Sequence, residues 1–144
     1  MQDGPLYRMY YCGSHVIYTQ GKYVSPHREV ACYAESTDGI HWTKPELGLV
    51  EFDGSKKNNI LRDGIAAHNF TPFKDPNPDC KPDDKYKALG SGKGGLFALK
   101  SADGTHWSLM RQSQVITKGA FDSPNLAFWD SVRGEYREYT GRDL

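Results

Sequence analysis

Short runs of β-forming residues, separated by polar turns, make up most of this chain, and no segment shows the apolar period of a helix. Residues 29–34 and 96–99 are two such runs, rich in the aliphatic and aromatic side chains typical of strands. The 15 glycines and 8 prolines fall mainly between the runs. The pattern therefore predicts an all-β chain of short strands.

One seven-residue motif occurs twice. Residues 36–42 read Ser-Thr-Asp-Gly-Ile-His-Trp, and residues 101–107 read Ser-Ala-Asp-Gly-Thr-His-Trp. The Asp-Gly pair predicts a tight turn, because glycine reaches positive φ freely, and the Trp that follows can fold back over the strands. Because Trp42 and Trp107 recur at the same point of each copy, we expect core positions for both.

Two further motifs recur in step with these turns. Strands that open with a tyrosine and a basic residue are predicted at Tyr7, Tyr86 and Tyr136. An apolar stretch that ends in an aspartate precedes two of them, at Asp75 and Asp130. In order, the motifs describe a unit of four antiparallel strands.

Four-stranded units that recur along a chain are the sequence sign of a β-propeller. We therefore predict one partial propeller domain over residues 1–144. Its parts are a blade lacking its first strand over 1–45, a complete blade over 65–112, and the start of a third blade over 119–144. Residues 46–64 and 75–84 are expected to be long connections.

Charge and composition narrow the choice of partner. The 18 basic and 18 acidic residues cancel, and no basic run exceeds Lys56-Lys57, which argues against nucleic-acid and membrane partners. No stretch approaches the ~20 apolar residues of a membrane span. The three cysteines are widely spaced, so neither a disulfide framework nor a zinc site is predicted, and no metal or cofactor is expected.

Residues 119–130 and 134–139 resemble the inner-strand pattern of the invertase, levansucrase and arabinanase superfamily of glycoside hydrolases. The resemblance implies a five-bladed propeller with three carboxylates on its inner strands, which hydrolyse glycosidic bonds with water. It also implies a carbohydrate partner. No targeting segment identifies a compartment, and likeness to the family would imply a secreted or periplasmic protein.

Only Asp122 falls on a family carboxylate position, so the resemblance makes it the catalytic candidate. It could instead cap a turn with Ser123 and Pro124. The matching place in the middle blade, residues 67–69, reads Ala-His-Asn and holds no acid. The candidate substrate-binding residues are His68, Asn69, Asp63, Asn125 and Trp129.

Several of these candidates have a structural alternative. His68 and Asn69 can hydrogen-bond sugar hydroxyls or can form a buried structural pair. Asp63 is a nearby acid in the preceding loop and matches no family position. Trp129 and its neighbour Phe128 face opposite sides of a strand, so at most one of them lines a funnel.

Expectations also follow for the whole chain. Without a full set of carboxylates, the chain alone is expected to be inactive, and the alternative function is a non-catalytic carbohydrate-binding or scaffolding propeller. Both ends are expected to lie partway through blades. Open blade edges promote association, so a homo-oligomer is predicted.

Overall fold

The computed structural model of the protein describes residues 1–140. Within that range the chain contains strands and a short 3-10 helix at Pro82–Asp84, and no helix there could span a membrane. The strands are β1 (Gln2–Asp3), β2 (Leu6–Gly13), β3 (Ile17–Thr19), β4 (Lys22–Val24), β5 (Val30–Ser36), β6 (Ile60–Asp63), β7 (His68–Lys74), β8 (Tyr86–Gly92), β9 (Gly95–Ser101), β10 (Ser108–Leu109), β11 (Leu126–Asp130) and β12 (Glu135–Tyr139). Every strand pairing is antiparallel, which confirms the predicted all-β class.

The strands form two four-stranded sheets and two hairpins. The first sheet has the order β1-β2-β5-β6, and the second has the order β7-β8-β9-β10. β11 and β12 form a two-stranded third sheet, and β3 and β4 form a separate, exposed hairpin. Because β7 contacts both β2 and β11, the three sheets are neighbours in chain order.

The first sheet differs from the sequence prediction at two strands. β1 supplies a short first strand where none was expected, and β6 supplies a fourth strand inside the predicted connection 46–64. Ile60 and Leu61 of β6 are buried, but two apolar residues are too short a run to indicate a strand. β11 and β12 lie in the predicted third unit, whose residues 141–144 fall outside the described residues.

The repeated seven-residue motif forms the same turn in both large sheets. Ser36 Oγ accepts a hydrogen bond at 2.9 Å from the amide three residues later, and Asp38 Oδ1 accepts one at 2.8 Å in the same way. Ser101 and Asp103 repeat both bonds with the same lengths. The glycines of the two turns have φ of 75° and 83°, as the Asp-Gly pair predicts.

The two tryptophans that follow these turns have different surroundings. Trp107 packs edge-on against Phe70 of its own sheet and Tyr10 of the first sheet, with ring centroids 5.1 and 6.2 Å apart. Its indole N–H and the Tyr10 hydroxyl both donate to the Gly104 carbonyl, at 3.0 and 2.9 Å. Trp42 makes no aromatic ring contact of this kind within residues 1–140 and is 36% exposed. The expectation of a core position is wrong for Trp42, whereas Trp107 is partly buried and packs against the core of the second sheet.

An aspartate at the end of the first strand ties the first sheet to the second. Asp3 accepts a hydrogen bond from Arg8 of its own sheet at 2.9 Å and another from the Tyr86 hydroxyl of the second sheet. Lys74, at the end of β7, also donates to Asp3 at 2.6 Å. Three donors therefore converge on one largely buried carboxylate, and two of them belong to the neighbouring sheet.

The second sheet is tied to the third in the same way. Asp75, directly after β7, accepts hydrogen bonds from Lys87 of its own sheet and from the Tyr136 hydroxyl of the third sheet, the latter at 2.6 Å. Each base also lies over the ring of the same tyrosine, Arg8 at 5.2 Å from Tyr86 and Lys87 at 5.4 Å from Tyr136. The Tyr-basic motif thus has a structural role. The base binds the aspartate of its own sheet, and the tyrosine binds that of the preceding sheet.

These contacts determine the ionisation of Asp3. Burial raises the pKa of a carboxyl, but the hydrogen bonds from Lys74, Tyr86 and Arg8 lower the pKa of Asp3 by more than burial raises it. The pKa of Asp3 therefore lies well below that of an ordinary carboxyl group. Asp3 is ionised at neutral pH, and its charge is compensated by its donors.

We expect Asp3→Asn to lower the free energy of unfolding at pH 7 by about 3 kcal/mol, as for removal of one partner of a buried ion pair. Because the pKa of folded Asp3 is depressed, its stabilisation is complete above about pH 4 and is lost as pH falls through the folded value. Urea unfolding at several pH values should therefore show the gap between wild type and variant narrowing below about pH 4. The exposed Asp79→Asn is the control, and a gap independent of pH would contradict the role of Asp3.

We expect Trp107→Ala to destabilise the protein by roughly 3 kcal/mol, because it removes packing between two sheets and an indole hydrogen bond. Trp42→Ala should cost clearly less, since its side chain is exposed and makes no aromatic ring contact within residues 1–140. Chemical denaturation at submicromolar protein concentration measures both. Equal losses would contradict the difference in environment.

Candidate functional site

The predicted site residues lie mainly where β7 and β11 begin. His68 is the first residue of β7, and Asn125 directly precedes β11. The register of β7 shifts between His68 and Thr71, and Asn69 within this irregularity has φ of 49°. An Asn tolerates this left-handed conformation better than most residues, and here it redirects the side chain away from the regular ladder.

Asn69 fixes the loop that carries Asp122. Its side-chain amide donates to the Phe121 carbonyl at 3.1 Å, and the Ser91 hydroxyl donates to the same oxygen at 2.9 Å. The residue before Asp122 is therefore anchored to the second sheet from two directions. Asp122 itself is exposed, and no hydrogen bond to its carboxylate occurs within residues 1–140. The alternative role as a turn cap thus has no support from hydrogen bonding among these residues.

His68 links this loop to a residue that the sequence analysis missed. The Nδ1 atom of His68 is hydrogen-bonded to Glu29, which directly precedes β5, and its Nε2 atom lies 3.1 Å from the Asn69 amide nitrogen. Glu29, His68 and Asn69 thus form a continuous polar chain that reaches the Phe121 carbonyl. Glu29 was missed because nothing in its sequence neighbourhood distinguishes it from an ordinary residue at a strand boundary.

Asn125 is the most deeply buried of the predicted residues, with 0% exposure. Its amide nitrogen donates to the Ser123 carbonyl at 2.8 Å, while its carbonyl oxygen Oδ1 has no hydrogen-bond partner among the described residues. The Thr71 hydroxyl donates to the Asn125 backbone carbonyl. Asn125 therefore shapes the Asp122 loop from beneath, and its burial places it out of direct reach of a bulky ligand.

The structure places the two remaining candidates differently. Asp63, at the end of β6, forms an ion pair with Arg28, the neighbour of Glu29, so Asp63 lies beside the polar chain. Trp129 lies near the opposite end of β11 and packs on Tyr136, with ring centroids 4.9 Å apart. Because Tyr136 binds Asp75 at the far end of β7, Trp129 packs on the tyrosine that joins the third sheet to the second. The structure does not bring it to the group around Asp122.

A small cavity opens beside Asn69. It lies between β2, β7 and the segment before β11, and its volume is about 210 Å³. Its lining residues are Tyr10, Tyr11, Cys12, Ala67, Asn69, Phe70, Thr71 and Pro124. Pockets that enclose drug-sized ligands usually exceed ~300 Å³, so this cavity by itself is too small to enclose such a ligand. Within residues 1–140, no group of three or more His, Cys, Asp or Glu side chains is arranged to hold a metal ion.

This chain is similar to uncharacterised proteins of Mycobacterium tuberculosis, one from strain CDC 1551 and one from strain H37Rv. Each is 39% identical to it over 142 residues, which cover 94% of this chain and 39% of the relative. The chain therefore spans about two fifths of the length of the curated relatives it matches. No family model matches the chain, and no solved structure matches it.

The role of Asn69 can be separated into its side-chain and backbone parts. Asn69→Gly keeps a residue suited to positive φ but loses the bond to Phe121, so it should cost ~1 kcal/mol of unfolding free energy. Asn69→Ala should cost about 1 kcal/mol more, because it adds left-handed strain. Denaturant titration of both variants measures the two costs. An alanine variant as stable as the glycine variant would contradict the strain.

Proposed function

We propose that this chain is part of a five-bladed β-propeller of the glycoside hydrolase type, with a glycan site where β7 and β11 begin. The repeated turns and the repeated Asp-base-Tyr contacts support successive blades, because the same interactions join each sheet to the next. The adjacency of β7 and β11 supports inner strands that lie side by side around an axis.

The observation that carries the proposal is the contrast among the carboxylates. Asp3 and Asp75 lie at the far ends of β1 and β7 and are saturated by basic and tyrosine donors. Asp122, near the start of β11, is exposed and accepts no hydrogen bond within the described residues. An unpaired carboxylate on an anchored loop is available to a ligand, whereas a saturated one is not.

Glu29 supplies the second acid that the middle unit lacks in sequence. Cleavage of a glycosidic bond requires one protonated carboxyl group and one ionised carboxylate, ~5 to 10 Å apart. In our proposal Asp122 is the ionised carboxylate, and the hydrogen-bonded pair Glu29–His68 holds the proton that the leaving oxygen receives. Asn69 orients His68 through its amide nitrogen, and its side-chain carbonyl oxygen is available to accept a hydrogen bond from a sugar hydroxyl.

A second candidate function is glycan binding without hydrolysis. It is favoured by Ala67, which is buried at the place where the resemblance would put an acid. A glycan array probes binding, and a panel of aryl glycosides probes turnover of the same sample. Binding without turnover would favour this second function. The absence of both binding and turnover would contradict both functions.

If the chain cleaves an aryl glycoside, Asp122→Asn should reduce kcat at least ~100-fold, as for loss of a group that takes part in acid–base or covalent catalysis. The melting temperature should stay nearly unchanged, because no hydrogen bond to this carboxylate occurs within residues 1–140. Glu29→Gln should give a comparable loss of kcat. Asp79→Asn, an exposed acid on the connection between β7 and β8, is the matched control. Full activity of Asp122→Asn would exclude the assigned role.

A further inference from the structure

The segment that leads into β7 contains a strained residue whose role the proposed site does not yet include. Ala66 has a φ of 63° and is 0% exposed. A residue with a Cβ keeps this left-handed conformation only where the surrounding structure holds it there, and such strain is concentrated at functional sites. Asn69 is left-handed as well, so His68 lies between two residues of unusual backbone conformation.

Gly90 of β8 makes room for this segment. The register of β7 shifts beside Gly90, where two residues of β7 lie opposite this one residue of β8. A Cβ placed on Gly90 would overlap the Ala66 carbonyl oxygen and would lie 2.7 Å from the Ala66 Cβ. Gly90 itself is not left-handed, so its own backbone conformation does not require a glycine. The close approach of the Ala66 backbone is therefore what requires glycine at this position.

The next residue of β8 holds the other half of the proposed site. Ser91 is buried and pairs with His68 across the ladder. Its hydroxyl donates to the carbonyl of Phe121, the residue directly before Asp122, at 2.9 Å. Two consecutive residues of one rigid strand thus contact the segment that carries His68 and the loop that carries Asp122.

We infer that Gly90 and Ser91 are positioning residues, which together fix the separation between the Glu29–His68 pair and Asp122. The inference rests on the proposed function, in which the pair holds the proton and Asp122 is the ionised carboxylate. Gly90 acts through the Ala66 backbone, and Ser91 acts through the Phe121 carbonyl. A glycosidase requires a defined distance between its two acidic groups, and support from a strand fixes such a distance better than free loops do.

NMR of the protein without substrate tests the His68 side of the inference. The nitrogen chemical shifts of the His68 ring report its hydrogen bond to Glu29, and Glu29→Ala gives their values when that bond is absent. Gly90→Ala should move the ring signals towards those values, because the added methyl group displaces the segment at Ala66. A folded Gly90→Ala variant with the ring signals of wild type would overturn the inference.

Gly92→Ala is the matched control on the same strand. A Cβ there would lie 2.7 Å from the Phe97 ring but 3.8 Å from the Ala66 nitrogen, which is an ordinary contact distance. It therefore disturbs the core without displacing the segment, and the His68 ring signals should stay those of wild type. Equal shifts in Gly90→Ala and Gly92→Ala would show a general effect of packing and would overturn the positioning role.

Two milder variants keep the test decisive if Gly90→Ala does not fold. Ala66→Gly retains a residue suited to positive φ but releases the strain, so the His68 ring signals should broaden or shift part of the way. Ser91→Ala removes one of the two hydrogen bonds to the Phe121 carbonyl, so the amide nitrogen signal of Asp122 should shift while the His68 ring signals stay. Unchanged His68 signals in the first variant, or an unchanged Asp122 signal in the second, would overturn the inference.

Turnover separates this inference from the proposed function. If the chain cleaves an aryl glycoside, Ser91→Ala should lower kcat roughly tenfold or more and leave KM nearly unchanged, because a misplaced group is felt mainly in the transition state. A kcat equal to that of wild type would overturn the role of Ser91. If wild type shows no turnover, the hydrolytic function fails, and the NMR signals alone uphold or overturn the positioning role.

Discussion

The contact on which the rest of the structure depends is an aspartate shared between neighbouring sheets. The first and second sheets carry this aspartate at or directly after the end of the first strand and supply a base from the second strand, and in both cases the next sheet completes the group with a tyrosine hydroxyl. A buried carboxylate is costly unless its hydrogen bonds are satisfied, so the position of the next sheet is strongly specified. The Trp107 turn adds apolar packing to the same junction.

The contacts of Asp3 and Asp75 lie at the C-terminal ends of the first strands, so the N-terminal ends of these strands are free for other roles. At the far ends, Asp3 and Asp75 are held by cations and tyrosines, and burial raises their pKa values less than these donors lower them. At the N-terminal ends, the loop that carries Asp122 is anchored by hydrogen bonds from Asn69 and Ser91 to the Phe121 carbonyl. Rigid sheets with an anchored, exposed carboxylate at one end are a suitable base for a site that must hold a ligand in a fixed geometry.

The sequence by itself determined the class, the repeat and the turns. Period, glycine placement and the recurring Ser-x-Asp-Gly-x-His-Trp motif are local properties, and they predict the strands around residues 30, 70, 88 and 97 and the positive φ of both turn glycines. The sequence also proposed Asp122, His68 and Asn69 as site residues, through a resemblance carried by short motifs. Only the tertiary structure decided which acids are satisfied, because Tyr86 meets Asp3 and His68 meets Glu29 across separations of 83 and 39 residues. It likewise decided that Trp42 is exposed, that Trp129 packs on Tyr136 and that β6 joins the first sheet. Burial and choice of partner depend on which strands and sheets become neighbours and not on the residues beside them in the chain.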